Sequence, residues 1–159
     1  MDKTRESNLW GSMKAGTRHL VAAGELEINR VENKARRSMG DVEGIVARPG
    51  HGQFWIELKT THRPKRTTTP IRVKFQDGQS YWLDKRWGMG GNAWLLVQVG
   101  KGHQAKRYLV PGCNAPIVEE GVTEDKLFGL SICLTECPAF EEIVLEASVS
   151  RSTSRERRG

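Results

Sequence analysis

The segment QFWIELKT at residues 53–60 constrains the fold more than any other. Phe54, Ile56 and Leu58 occupy the even positions, while Gln53, Trp55, Glu57 and Lys59 occupy the odd ones. Successive strand side chains point to opposite faces. The pattern predicts a strand with one apolar face in a core and one face that carries a carboxylate and an ammonium. Two chemistries fit that second face. One is a cross-face ion pair on a solvated sheet, which would add on the order of 0–1 kcal/mol. The other is half of a metal-dependent active site.

The neighbouring segments give this strand its partners. DVEGIVA (41–47) reads as a strand, RPGHG (48–52) as a turn, and residues 41–60 together as an antiparallel hairpin. LEINRVEN (26–33) alternates as a short strand or a helix extension. Residues 8–23 place Leu9, Met13, Leu20 and Val21 near helical spacing, ahead of Gly24. Residues 61–74 contain two prolines and no acid, and read as a long exposed basic loop. A helix is expected from Asp77 to the glycines at 88–91. NAWLLVQVG (92–100) is apolar enough for a central strand, and AKRYLVPG (105–112) reads as another. Two weaker helical patterns follow within 122–149. The order predicts an α/β or α+β fold with a mixed central sheet flanked by helices. The expected organisation is a core over 1–112, an acidic C-terminal extension over 113–149 packed on it, and a disordered basic tail over 150–159.

Charge narrows the partners. The 159 residues carry 25 Lys and Arg against 19 Asp and Glu, a net charge of +6. Residues 1–112 hold twenty of those cations against ten acids, while 113–149 hold eight acids and only Lys126. A basic body favours a polyanion, nucleic acid first. No apolar run is long enough to span a bilayer and the N-terminus lacks a signal-peptide core, so no membrane partner and a cytoplasmic location are expected. Cys113, Cys133 and Cys137 make an odd count, most simply buried thiols, with Cys133 and Cys137 a weak zinc pair. Trp82, Trp87 and Trp94 read as core, and Trp55 as the tryptophan that could touch a substrate. No phosphate loop and no nucleophile–histidine arrangement is evident.

The hairpin can bring Asp41 and Glu57 together with Lys59. Two close carboxylates repel unless a cation lies between them. Mg²⁺ takes oxygen ligands and keeps several waters. Held against a phosphate, it stabilises developing charge and activates water. Glu43, two residues beyond Asp41, is the rival ligand.

The elements RVEN, SMGDVEGIV, FWIELKT, Q-SYWL and GGNAWLLV, in that order, resemble the PD-(D/E)XK nuclease superfamily, and within it the VRR-Nuc and phage-type Holliday junction resolvase branch. Gly40 stands where that family's motif has proline. The resemblance covers roughly residues 8–100 and implies a restriction-endonuclease-like fold. It also implies Mg²⁺, with Mn²⁺ as a possible substitute, bound by Asp41, Glu57 and the backbone carbonyl of Leu58. Lys59 would position the attacking water, Glu32 would reach the metal through water, and Gln79 would orient the site. The competing reading makes Glu32 and Gln79 ordinary solvated side chains. Arg36 and Arg37 on one side, and Arg63, Lys65, Arg66, Arg72 and Lys74 on the other, would grip phosphates. The expected activity is that of a structure-selective endonuclease that cuts branched DNA as a homodimer, its dimer surface drawn from the N-terminal helix and the C-terminal region. A monomeric nicking or flap nuclease and a DNA-binding protein on an inactive scaffold are the alternatives.

Overall fold

The fold is built around the strand that its sequence marks as buried on both sides. In the computed structural model, which describes residues 3–32, 41–132, 134–135 and 137–151, that strand is β4 (Ala93–Val99). It lies between β3 (Gln53–Thr61), to which it runs parallel, and β5 (Lys106–Pro111), to which it runs antiparallel. The sheet continues from β3 through β2 (Val42–Val46) to β1 (Leu26–Arg30), both pairings antiparallel. The result is a five-stranded mixed sheet in the order β1-β2-β3-β4-β5.

Helices cover both faces. On one, Leu9 and Met13 of α1 (Lys3–Gly16) and Phe140, Ile143, Val144 and Ala147 of α6 (Phe140–Ser148) pack on Phe54, Ile56, Leu58, Trp94 and Leu96. On the other, Leu83 of α3 (Gln79–Gly88), Ala115 and Val118 of α4 (Ala115–Glu120), and Leu127 of α5 (Glu124–Leu130) pack on Ala93, Leu95, Val97 and Val99. The even residues of β4 thus enter one core and the odd residues the other, which is why its sequence is a continuous apolar run. Segment 113–149 contributes to both layers, and Trp94 Nε1 donates to the Ala147 carbonyl at 3.0 Å.

Three local expectations are corrected. The N-terminal helix begins at Lys3 rather than near residue 8, and Thr17 separates it from α2 (Arg18–Ala22). Thr17 is fully buried and its hydroxyl donates to the Met13 carbonyl at 2.8 Å, a bond that competes with helix continuation. The loop after β3 is not exposed throughout. Ile71 and Val73 are buried, and the Ile71 amide donates to the Val122 carbonyl at 2.7 Å. Cys113 and Cys137 are exposed rather than buried, and Cys133 lies outside the described residues.

Gly44 shows how tightly the hairpin closes. It faces Phe54 across the β2–β3 pair, and a Cβ there would stand 2.4 Å from Phe54 Cζ and 2.9 Å from the Glu27 carbonyl oxygen. Gly44→Ala is therefore expected to destabilise the protein by about 1–3 kcal/mol through overpacking. Urea unfolding should show a lower midpoint with an unchanged slope.

Candidate active site

The site forms where the sheet forks. β2 pairs with β3 only as far as Val42↔Ile56, while β3 continues beside β4 to Thr61↔Val99. At the fork, the Leu58 amide donates to the Asp41 carboxylate Oδ2 at 3.2 Å instead of to a neighbouring strand. Glu57 and Lys59 flank Leu58 and share the face that α3 covers.

That face is not solvated. Glu57 is 1% exposed and Lys59 2%. Lys59 Nζ lies 3.1 Å from Glu57 Oε1. Gln79, in the first turn of α3, bridges the pair. Its amide nitrogen donates to Glu57 Oε1 at 2.8 Å, and its amide oxygen accepts from Lys59 Nζ at 3.0 Å and from the Gln76 amide at 2.8 Å. Gln79 is itself 4% exposed, so it is not a solvated helix residue. A surface ion pair is thus the wrong description of Glu57 and Lys59. Burying two charges is costly and is weak evidence for stability, whereas perturbed charges in a shared site point to chemistry.

The electrostatics agree. Burial, reinforced by the nearby Asp41 carboxylate, pushes the Glu57 carboxyl up to about 8 against the pull of Lys59. Glu57 Oε2 is buried with no hydrogen-bond partner. A buried oxygen of this kind normally has a partner. Two carboxylates, one with an unsatisfied oxygen, are the hard donors that Mg²⁺ or Mn²⁺ takes. No three His, Cys, Asp or Glu side chains that could hold a metal converge among the described residues. Protein side chains would thus supply only part of the shell, the rest falling to backbone, water or substrate oxygen, as Mg²⁺ accepts.

Sequence reasoning missed Glu6. This half-buried α1 residue places Oε1 4.0 Å from Lys59 Nζ. Burial raises its pKa, Lys59 opposes that rise, and Asp41 adds to it. Glu32, the expected upstream acid, is instead exposed two residues past β1. Glu43, the rival to Asp41, lies opposite Trp55, farther from the fork. Trp55 meets Trp82 edge to face at 5.5 Å, with the Arg86 guanidinium over both rings.

Of the expected phosphate-gripping residues, Arg36 and Arg37 lie outside the described residues. Lys65, Arg66, Arg72 and Lys74 are exposed, and buried Ile71 and Val73 turn Arg72 and Lys74 outward. Arg63 is a brace: it donates to Glu124 at 2.7 Å, to the Gln104 carbonyl at 3.0 Å and to the Val99 carbonyl at 3.3 Å.

Fold and site together define a mixed α/β protein with an acid–acid–lysine–glutamine cluster at a sheet fork. No model of a known family matches the chain, and no curated protein sequence matches it. Among solved structures, the chain is similar to the Holliday junction resolvase Hjc of the archaeal hyperthermophile Archaeoglobus fulgidus. Identity is 17%, the alignment covers 75% of this chain and 99% of that one, and the TM-score is 0.35. No helix among the described residues is long and apolar enough to cross a membrane.

Proposed function

We propose that the chain is a divalent-metal-dependent endonuclease of restriction-endonuclease-like fold that hydrolyses phosphodiester bonds in DNA. The observation that carries this reading is the buried Glu57–Lys59 pair beside Asp41, with Glu57 Oε2 unsatisfied. Asp41 and Glu57 would hold Mg²⁺, with the Leu58 carbonyl as a further oxygen. The bound ion would supply charge stabilisation and a more acidic water. The chain's own contribution is positional. Lys59 holds a positive charge and hydrogen-bond donors where a phosphate oxygen and an attacking water would meet. Gln79 fixes Glu57 and Lys59 relative to each other through one amide. Leu58, 1% exposed in the opposite core, anchors the strand between them.

Branched DNA as substrate and a homodimer as the working form follow from the resemblance of the D…ELK…Q…GG segment to junction resolvases. Two symmetric cuts need two sites.

The test is cleavage of a labelled four-way junction beside its linear duplex, with Mg²⁺ or with EDTA. Paired symmetric cuts confined to the junction, and lost in EDTA, are expected. Equal cutting of both substrates would discard junction selectivity, and a monomer by light scattering would favour a nicking or flap activity. Tight binding with no metal-dependent cleavage would leave only a DNA-binding protein on an inactive scaffold.

A further inference from the structure

Arg48 and Arg63 pair with carboxylates, those of Glu25 and Glu124. Arg86, in the last turn of α3, lies over two tryptophans. Its guanidinium carbon is 4.9 Å from the centre of the Trp82 ring and 5.8 Å from that of Trp55. Trp82 stands four residues before Arg86 and shares its helix face, while Trp55 comes from β3. The two half-buried rings meet at 76°, so they form a corner rather than a flat shelf. The turn after α3 sets the arginine from a third side. The Gly91 amide donates to the Arg86 carbonyl at 3.0 Å, and a Cβ at Gly91 would stand 3.0 Å from Arg86 Cγ.

Held from three sides, Arg86 is nevertheless exposed. A guanidinium is planar and carries five N–H donors in that plane. Stacking uses its faces and leaves the donors along its edge for a ligand. Phosphate is a ligand that such a fork fits with two parallel hydrogen bonds. A cation in the last turn of a helix is also favoured by the helix dipole. That effect needs no rings, so it does not account for the corner built by Trp55 and Trp82.

Two elements set the distance from this corner to the catalytic cluster. Gln79, at the start of α3, bonds Glu57 and Lys59, and Arg86 follows it by seven residues, about 10 Å of helix. Trp55 precedes Glu57 by two residues on the same face of β3, about 7 Å of strand. Along one DNA strand, at about 3.4 Å of rise per nucleotide, roughly 7–10 Å spans about two or three nucleotides. We infer that Arg86 grips a backbone phosphate of the cut strand, about two or three nucleotides from the scissile bond, with Trp55 and Trp82 as positioning residues that hold its plane. The distance rests on the nuclease reading, whereas the phosphate grip needs only that the protein binds DNA.

The test reads binding in EDTA, by fluorescence anisotropy, to a four-way junction in which a single neutral methylphosphonate is moved along one strand. Arg86→Gln is expected to bind about three- to tenfold more weakly than wild type and to lose about one from the salt-dependence slope. One methylphosphonate position, about two or three nucleotides from the cut mapped with Mg²⁺, should weaken wild type and leave Arg86→Gln unaffected. Arg86→Lys keeps the charge without the plane, so it should retain the slope and recover only part of the affinity. Trp55→Leu should weaken binding through Arg86, so Trp55→Leu/Arg86→Gln should bind no more weakly than Arg86→Gln alone. Identical interference profiles for wild type and Arg86→Gln, with or without a lowered melting temperature, would overturn the grip and leave the stack as a brace between α3 and β3. Full recovery by Arg86→Lys, or losses that add in the double variant, would overturn the positioning role of the tryptophans. Interference that Arg86→Gln removes, in a protein that never cleaves, would support the grip while sinking the nuclease reading.

Discussion

Lys59→Ala is expected to reduce DNA cleavage by about a thousandfold while leaving DNA affinity within a few-fold of wild type. The ammonium is 2% exposed and held by Glu57 and Gln79, with Glu6 beyond them. It is placed to meet the scissile phosphate alone, and the exposed Lys65, Arg66, Arg72 and Lys74 remain to hold the flanking backbone, so its loss should leave most of the sequence-independent attraction to DNA. A preorganised donor in a site shielded from water is where a single group is worth a factor of about a hundred to a thousand. Single-turnover cleavage beside anisotropy binding separates the two effects. The substitution also leaves Glu57 without its cation, so a melting curve should accompany it. Lys59→Gln, which keeps a donor without the charge, should retain the fold and still lose most of the activity. Cleavage by Lys59→Ala within tenfold of wild type would remove Lys59 from the chemistry.

The second large effect concerns Glu57 and pH. Without metal, wild type is expected to lose stability relative to Glu57→Gln as pH rises from about 5 to about 8. Burial first, then the Asp41 charge, raises the Glu57 carboxyl from its ordinary 4.5 to about 8. An unfolded chain releases that proton near 4.5, whereas the folded chain keeps it until about 8. Between those values the folded state binds more protons, so stability falls as pH rises. The slope is at most about 1.4 kcal/mol per pH unit. Glutamine does not titrate, so the variant lacks this component, and the difference between the two melting curves isolates it. Added Mg²⁺ should reverse the trend in wild type, because binding requires the ionised carboxylate. Stabilisation by a ligand at a hundred times its Kd is about 2.7 kcal/mol. Calorimetry across this pH range with and without Mg²⁺ should show the metal effect growing with pH in wild type and missing in Glu57→Gln. A pH-independent difference between the two proteins would show that Glu57 is already ionised at low pH.

Local pattern carried much of the architecture. The alternation in QFWIELKT and the continuous apolar run in AWLLVQV follow directly from one-sided and two-sided burial of strands, and both lie where expected as β3 and β4. Asp41, Glu57 and Lys59 were legible together because the hairpin turn fixes which residues of its two strands meet. The start of α1 was not legible, because KTRESN has no apolar periodicity. Its helical state comes from packing two turns later, at Leu9 and Met13. Glu6 was lost with it.

The sequence by itself determined the alternating faces of the strands, the acid–acid–lysine spacing and the basic character of the first two-thirds of the chain. All three are local, written in neighbouring residues or in composition. Only the tertiary structure decided that the polar face of β3 is closed by α3, that Gln79 couples Glu57 to Lys59, and that Glu6 approaches the lysine. It also turned Arg63 into a brace by bringing Glu124 to it across sixty-one residues. Burial and pairing depend on which distant segments pack together, and no local pattern in this chain encodes that choice.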